Sequence, residues 1–178
     1  MKKEIDALAK VKCVEIEIAI MREFDFRRKL IVPGVTNMMG LVAFETDMIV
    51  LTESNYAYGF EIKTSRSDLR ADFKKRQHTH LEVMLYGKTG MERYYGKFKY
   101  FYYAVPEQLK ELALELIPPF CGLWVYRKPL HPLLPKFYKA KDASKLFDYK
   151  WTIDQRYELA RLGAMRVYGL KCGVIARG

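Results

Sequence analysis

Two β-prone runs, Glu45-Thr46-Asp47-Met48-Ile49-Val50-Leu51 and Tyr58-Gly59-Phe60-Glu61-Ile62-Lys63, flank the short polar group Glu53-Ser54-Asn55. That spacing fits a hairpin with a three-residue loop in which Asn55 tolerates a left-handed backbone. The register then pairs Thr52 with Tyr56. Counted back along both arms, it sets Asp47 directly opposite Glu61, with Cβ atoms about 4.5–5.5 Å apart. Side chains alternate across a strand, so Glu61 and Lys63 share one face while Phe60 and Ile62 take the other, with Tyr58 in line behind them. The expectation is an apolar face turned to the core and a charged face left over. A slip of one residue would send the two carboxylates to opposite faces.

Like charges directly opposite one another destabilise a sheet, so the arrangement calls for a positive charge between them, either Lys63 or a divalent metal ion. Carboxylate oxygens with no nearby histidine or cysteine cluster suit a hard ion, Mg²⁺ or Mn²⁺, and not zinc. A metal held by Asp47 and Glu61 could polarise a phosphodiester, lower the pKa of a bound water and stabilise charge on the leaving oxygen, with Lys63 orienting that water or holding it deprotonated. The competing reading is a surface hairpin whose Glu and Lys are its solvated face.

Beyond the hairpin, the run from Lys63 to Lys75 reads as a strand feeding a helix, with Ser65 as N-cap and Asp68 as its capping-box-like partner three residues on. The hairpin, the triplet Glu61-Ile62-Lys63, the segment Ser65-Arg66-Ser67-Asp68 and the later strand Phe101-Tyr102-Tyr103-Ala104-Val105-Pro106 resemble the PD-(D/E)XK nuclease superfamily. Within it, the likeness is nearest to the MmcB-type DNA-repair group and related phage and bacterial nuclease-like proteins. It spans roughly Val11 to Tyr126. The resemblance implies that Asp47 is the first acidic residue of the motif, Glu61 the second and Lys63 its lysine. Thr46 stands where the superfamily's name expects proline. Members also often carry a helical glutamate near the metal, and Glu15 or Glu17 could supply it. These two lie about 200° apart on a helix among apolar residues, and the same alternation would suit a strand.

At 178 residues, half of them hydrophobic, the chain is expected to form a single domain (1–178) with a proper core. A formal net charge of +10 points to a polyanionic partner. Arg66, Arg70 and Lys74 recur every four residues and make one basic stripe on the helix after the proposed site, with Lys75 and Arg76 beside it; these are the expected phosphate contacts. Three cysteines, Cys13, Cys121 and Cys172, are far apart without metal spacing, which fits buried packing residues in a reducing cytoplasm. No stretch approaches the ~20 apolar residues of a membrane span, and the start lacks a signal-peptide core.

Along the chain, the expected elements are an opening helix from Lys3 to Phe26 closed by Arg27-Arg28-Lys29, a strand at Leu30 to Val32 and a turn at Pro33-Gly34. Leu41 to Phe44 either extends the hairpin's first arm or belongs to the loop before it. After the hairpin and basic helix come a polar loop near Gly87 to Lys97, a strand at Phe98 to Ala104, a helix at Glu107 to Ile117 and a strand at Cys121 to Tyr126. Arg127 to Lys150 reads as an irregular basic arm. A last helix runs from an Asp154 cap to Tyr168, with Leu159, Leu162 and Met165 inward and Gly169 as its stop. His78-x-His80 is a weak zinc pair, better suited to a phosphate contact or a cap. The aromatics Tyr94-Tyr95, Phe98 and Tyr100 to Tyr103 could stack bases but read first as core.

The expected fold is therefore α/β, a restriction-endonuclease-like core (α-β-β-β-α-β mixed sheet flanked by helices) with an extra C-terminal helix. The expected function is metal-dependent phosphodiester hydrolysis on DNA, in DNA repair or phage DNA metabolism, using Mg²⁺ or Mn²⁺. The alternative is a non-cutting nucleic-acid-binding module on the same fold.

Overall fold

The computed structural model describes residues 11–37, 40–73, 94–128 and 137–175. Helix α1 (Cys13–Glu23) precedes three antiparallel strands, β1 (Leu30–Val35), β2 (Thr46–Leu51) and β3 (Ala57–Ile62). Helix α2 (Arg66–Asp72) then crosses to β4 (Phe98–Pro106), and a 3₁₀ turn with α3 (Lys110–Leu116) crosses to β5 (Gly122–Tyr126). Strand β6 (Phe137–Lys141) and helix α4 (Ile153–Ile175) complete the described chain. The strands lie in sequence order in one six-stranded sheet. β3, β4 and β5 are parallel, and the outer pairings are antiparallel. The architecture is thus α/β, a mixed sheet flanked by helices.

A parallel centre needs cover on both faces, which is why β2, β3 and β5 are apolar almost throughout. On one face Ile49, Leu51, Phe101, Tyr103 and Val105 pack with Leu69 of α2, Ala113 of α3 and Leu159 and Leu162 of α4. On the other, Met48, Val50, Phe60 and Ile62 pack with Ile16, Ala19 and Ile20 of α1. Ile16 and Ile20 are wholly buried, and each such side chain contributes about 1.5–3 kcal/mol. Gly59 has to be glycine: a Cβ there would meet the Phe101 ring at 2.6 Å.

Several expectations are corrected. Pro33-Gly34 does not turn the chain but lies inside β1, an edge strand whose free side does not need the missing proline N–H. The helix before it stops at Glu23, because Asp25 adopts a left-handed φ of 55°; Arg27 to Lys29 therefore follow a turn and are not the helix's last turn. Residues 41–44 form bends before the hairpin. The arm expected over Arg127 to Lys150 contains β6, paired to β5, with Phe137 stacked on Trp124 at 4.9 Å. Its lysines hid the strand, although lysine is common on edges. The last helix is capped by Thr152, whose Oγ1 accepts from the Gln155 N–H at 3.2 Å, and not by Asp154. It runs through Gly169 to Ile175, since a single glycine costs only about 1 kcal/mol in a helix. Met165 is exposed, and so are Cys13 and Cys172; Cys121 alone of the three cysteines packs in the core. Tyr95, Phe98, Phe101 and Tyr103, by contrast, are fully buried as core, in line with the first reading of these aromatics. Among the described residues no helix is long and apolar enough to cross a membrane.

Candidate active site

The hairpin loop closes as its residue types require. Asn55 takes a φ of 63°, the Thr52 N–H donates to the Tyr56 carbonyl at 2.9 Å, and the Tyr56 N–H donates to Thr52 Oγ1 at 3.0 Å. The ladder then runs from Leu51↔Ala57 to Met48↔Phe60, so the next step brings Asp47 level with Glu61 on one face. At that step Asp47 itself continues the pairing: its Oδ2 accepts the Ile62 N–H at 2.7 Å. Lys63 follows β3 and is fixed by its N–H to the Ala104 carbonyl, 3.1 Å, which ties it to the C-terminal end of β4.

The charged face is not left to solvent. Ser65 caps α2 by accepting the Asp68 N–H at 3.1 Å, and this short crossover lays α2 over Glu61 and Lys63. Side-chain exposure is 2% for Glu61 and 5% for Lys63, against 36% for Asp47. The cluster opens outward through Asp47. Lys63 Nζ lies 2.8 Å from Glu61 Oε2, 3.7 Å from Asp47 Oδ2 and 3.2 Å from Asp72 Oδ1. Asp72, at the end of α2, was not among the residues expected at the site. A signal for it existed: Leu69, Asp72 and Phe73 recur at helical spacing, and an acid on the inward stripe of a helix must find a partner.

Three carboxylates around one ammonium leave an excess of negative charge when all are ionised. Burial, followed by the charge of Asp47, pushes the Glu61 carboxyl from 4.5 to about 8, with Lys63 pulling the other way. Burial alone would lower the Lys63 ammonium, but Glu61, Asp47 and Asp72 outweigh it and hold it above its ordinary value. Burial and the charge of Asp47 thus favour a proton on Glu61 near neutral pH, beside an ammonium that stays charged. An added cation would release that proton. Each acid of the hairpin spends one oxygen on these contacts, Asp47 Oδ2 and Glu61 Oε2; among the described residues Asp47 Oδ1 and Glu61 Oε1 accept no hydrogen bond. This donor set fits a hard, oxygen-seeking ion. Among the described residues no three His, Cys, Asp or Glu side chains form a metal-holding group, so such an ion would complete its shell with water or phosphate.

Of the two helical glutamates, Glu15 caps its own helix, accepting the Lys12 N–H at 2.8 Å. Glu17 accepts from Cys13 Sγ at 3.5 Å. Burial and Glu17 push the Cys13 thiol up to about 12, so it is no nucleophile at neutral pH. Arg66 and Arg70 are exposed on the outer side of α2. Lys74, Lys75, Arg76, His78 and His80 lie outside the described residues, as do Lys3 to Lys10 of the expected opening helix.

No family model and no curated protein matches the chain. Among solved structures it is similar to the SPO1766 protein of unknown function from Silicibacter pomeroyi, with 17% identity, a TM-score of 0.53 and 92% of each chain covered. At that identity the likeness is one of fold alone.

Proposed function

We propose that this chain is a metal-dependent phosphodiesterase of the PD-(D/E)XK kind acting on DNA, with a restriction-endonuclease-like core. One observation carries the reading. Asp47 and Glu61 face each other at the open end of the hairpin, with the Lys63 ammonium 2.8 Å from Glu61. Asp47 Oδ1 and Glu61 Oε1 are the atoms that would hold Mg²⁺ or Mn²⁺. When bound, such an ion polarises the phosphodiester and makes water a better nucleophile at neutral pH. The remaining work falls to the chain itself. Lys63 Nζ donates to the attacking water or the developing oxyanion, and its charge keeps that water deprotonated. Arg66 and Arg70, together with Lys74 and Lys75, hold the backbone and displace its counterions. A cleavage assay on single-stranded, double-stranded and nicked DNA with Mg²⁺, Mn²⁺ or EDTA tests the proposal; DNA binding without metal-dependent cleavage on any form would sink it. The second reading, a non-cutting nucleic-acid-binding module, draws on the same cluster: Lys63 already bridges three carboxylates and can stand in for a cation. That reading predicts the outcome that sinks the first.

A further inference from the structure

The aspartate at the end of α2 differs from the two acids of the hairpin in what surrounds it. Its side chain is 1% exposed, and Oδ2 accepts the Tyr103 hydroxyl at 2.9 Å while Oδ1 lies 3.2 Å from Lys63 Nζ. Tyr103 stands on β4 level with Glu61, and its ring stacks on Phe73 at 5.7 Å. Side chains from α2, β4 and the end of β3 therefore converge on the Asp72 carboxylate. A buried carboxylate survives only when paired and hydrogen-bonded, so the Tyr103–Asp72–Lys63 chain is held from behind by the core. Asp47, 36% exposed, opens the cluster to solvent with Glu61 level with it on the hairpin, and a cation and a phosphate would compete for these two. Asp72 is closed off from solvent.

We propose that Asp72, fixed by Tyr103, is a positioning residue that holds the Lys63 ammonium in place while the Asp47 and Glu61 carboxylates are engaged elsewhere. This rests on the reading of Asp47, Glu61 and Lys63 as the working site. Without Asp72, Lys63 would follow whichever hairpin carboxylate remained available. Its ammonium would then be lost to the reaction whenever both were occupied.

The test uses the full chain labelled with ¹⁵N-lysine, so that Lys63 Nζ, assigned by its loss in Lys63→Ala, reports directly on its own hydrogen bonds. In wild type the Lys63 signal is expected to persist in EDTA and in saturating Mg²⁺. In Asp72→Asn it is expected to vanish or exchange at least tenfold faster, most clearly with Mg²⁺, while Mg²⁺ affinity by calorimetry stays within threefold. Tyr103→Phe should shift the signal in the same direction by less, and it carries the readout if Asp72→Asn fails to fold. On DNA, Asp72→Asn should lower kcat at least tenfold with KM within threefold, and Asp72→Glu should recover part of the loss. A Lys63 signal unchanged in both variants overturns the proposal. So does a loss of Mg²⁺ binding in Asp72→Asn as large as that in Asp47→Asn, which would make Asp72 a ligand. A wild type that cuts no DNA removes the nuclease reading, whereas the lysine signal still judges the role of Asp72.

Discussion

Replacing Glu61 by Gln should flatten the pH dependence of stability and should not destabilise the metal-free protein at alkaline pH. Burial and Asp47 raise the Glu61 carboxyl from 4.5 to about 8 in the folded state. The folded chain thus binds this proton more tightly than the unfolded chain does. That contribution is fully present below pH 4.5 and is lost as pH rises through about 8. At ~1.4 kcal/mol per pKa unit the complete loss is ~5 kcal/mol. Solvent reaching the cluster through Asp47 reduces this, and ~2–5 kcal/mol between pH 5 and pH 9 is the expected span. Lys63 adds a loss only above 10.5, and Asp148, held low by Lys145, acts only below 3.8, so neither intrudes on that window. The variant keeps an oxygen for Lys63, which also retains Asp72 at 3.2 Å, so no ammonium is orphaned. Urea unfolding in EDTA at pH 5, 7 and 9 measures the effect as wild type minus variant, in which histidine titrations cancel. The two should agree near pH 5, and the variant should be the more stable by pH 9. A difference that is flat with pH refutes the reasoning. So does a variant weaker by about 2 kcal/mol or more at pH 9, which would mean that the ionised Glu61–Lys63 pair is a net source of stability.

Mn²⁺ should bind weakly without nucleic acid and more tightly as pH rises from 6 to 8, because it must expel the proton held near Glu61; calorimetry should find Asp47→Asn at least tenfold weaker, and unchanged binding would remove Asp47 from the site. Lys63→Ala should abolish cleavage while leaving DNA affinity within a few-fold. Reversing the charges of Arg66 and Arg70 should instead weaken binding and reduce its salt slope by about one per lost contact, measured by anisotropy against salt concentration. Ser65→Ala should cost about 1 kcal/mol by removing the cap of α2, checked by urea midpoints.

Much of the hairpin was legible because its determinants are local. A three-residue loop, a residue tolerant of positive φ and two apolar runs leave one register, and that register alone places Asp47 against Glu61. Ser65 as a cap and the order of helices and strands through Tyr126 were legible for the same reason. The misreadings share a different cause. Pro33-Gly34 looks like a turn until β1 is known to be an edge, and β6 looks like loop until β5 is there to pair with it. Thr152 prevailed over Asp154 as cap by a reciprocal bond with Gln155, and either residue type is acceptable in isolation.

What the sequence determined by itself was the face on which each charged residue of the hairpin lies, since alternation and register are properties of neighbouring residues. What only the tertiary structure decided was whether that face meets water. Alternation cannot say where a crossover helix will land, and α2 lands on the charged side, taking Glu61 and Lys63 out of solvent and bringing Asp72 to the ammonium. The hydroxyl that fixes Asp72 comes from Tyr103, 31 residues further along the chain. Contacts of that range follow from the packing of β4 beside β3, and burial then gives the four side chains electrostatics that none of them has alone.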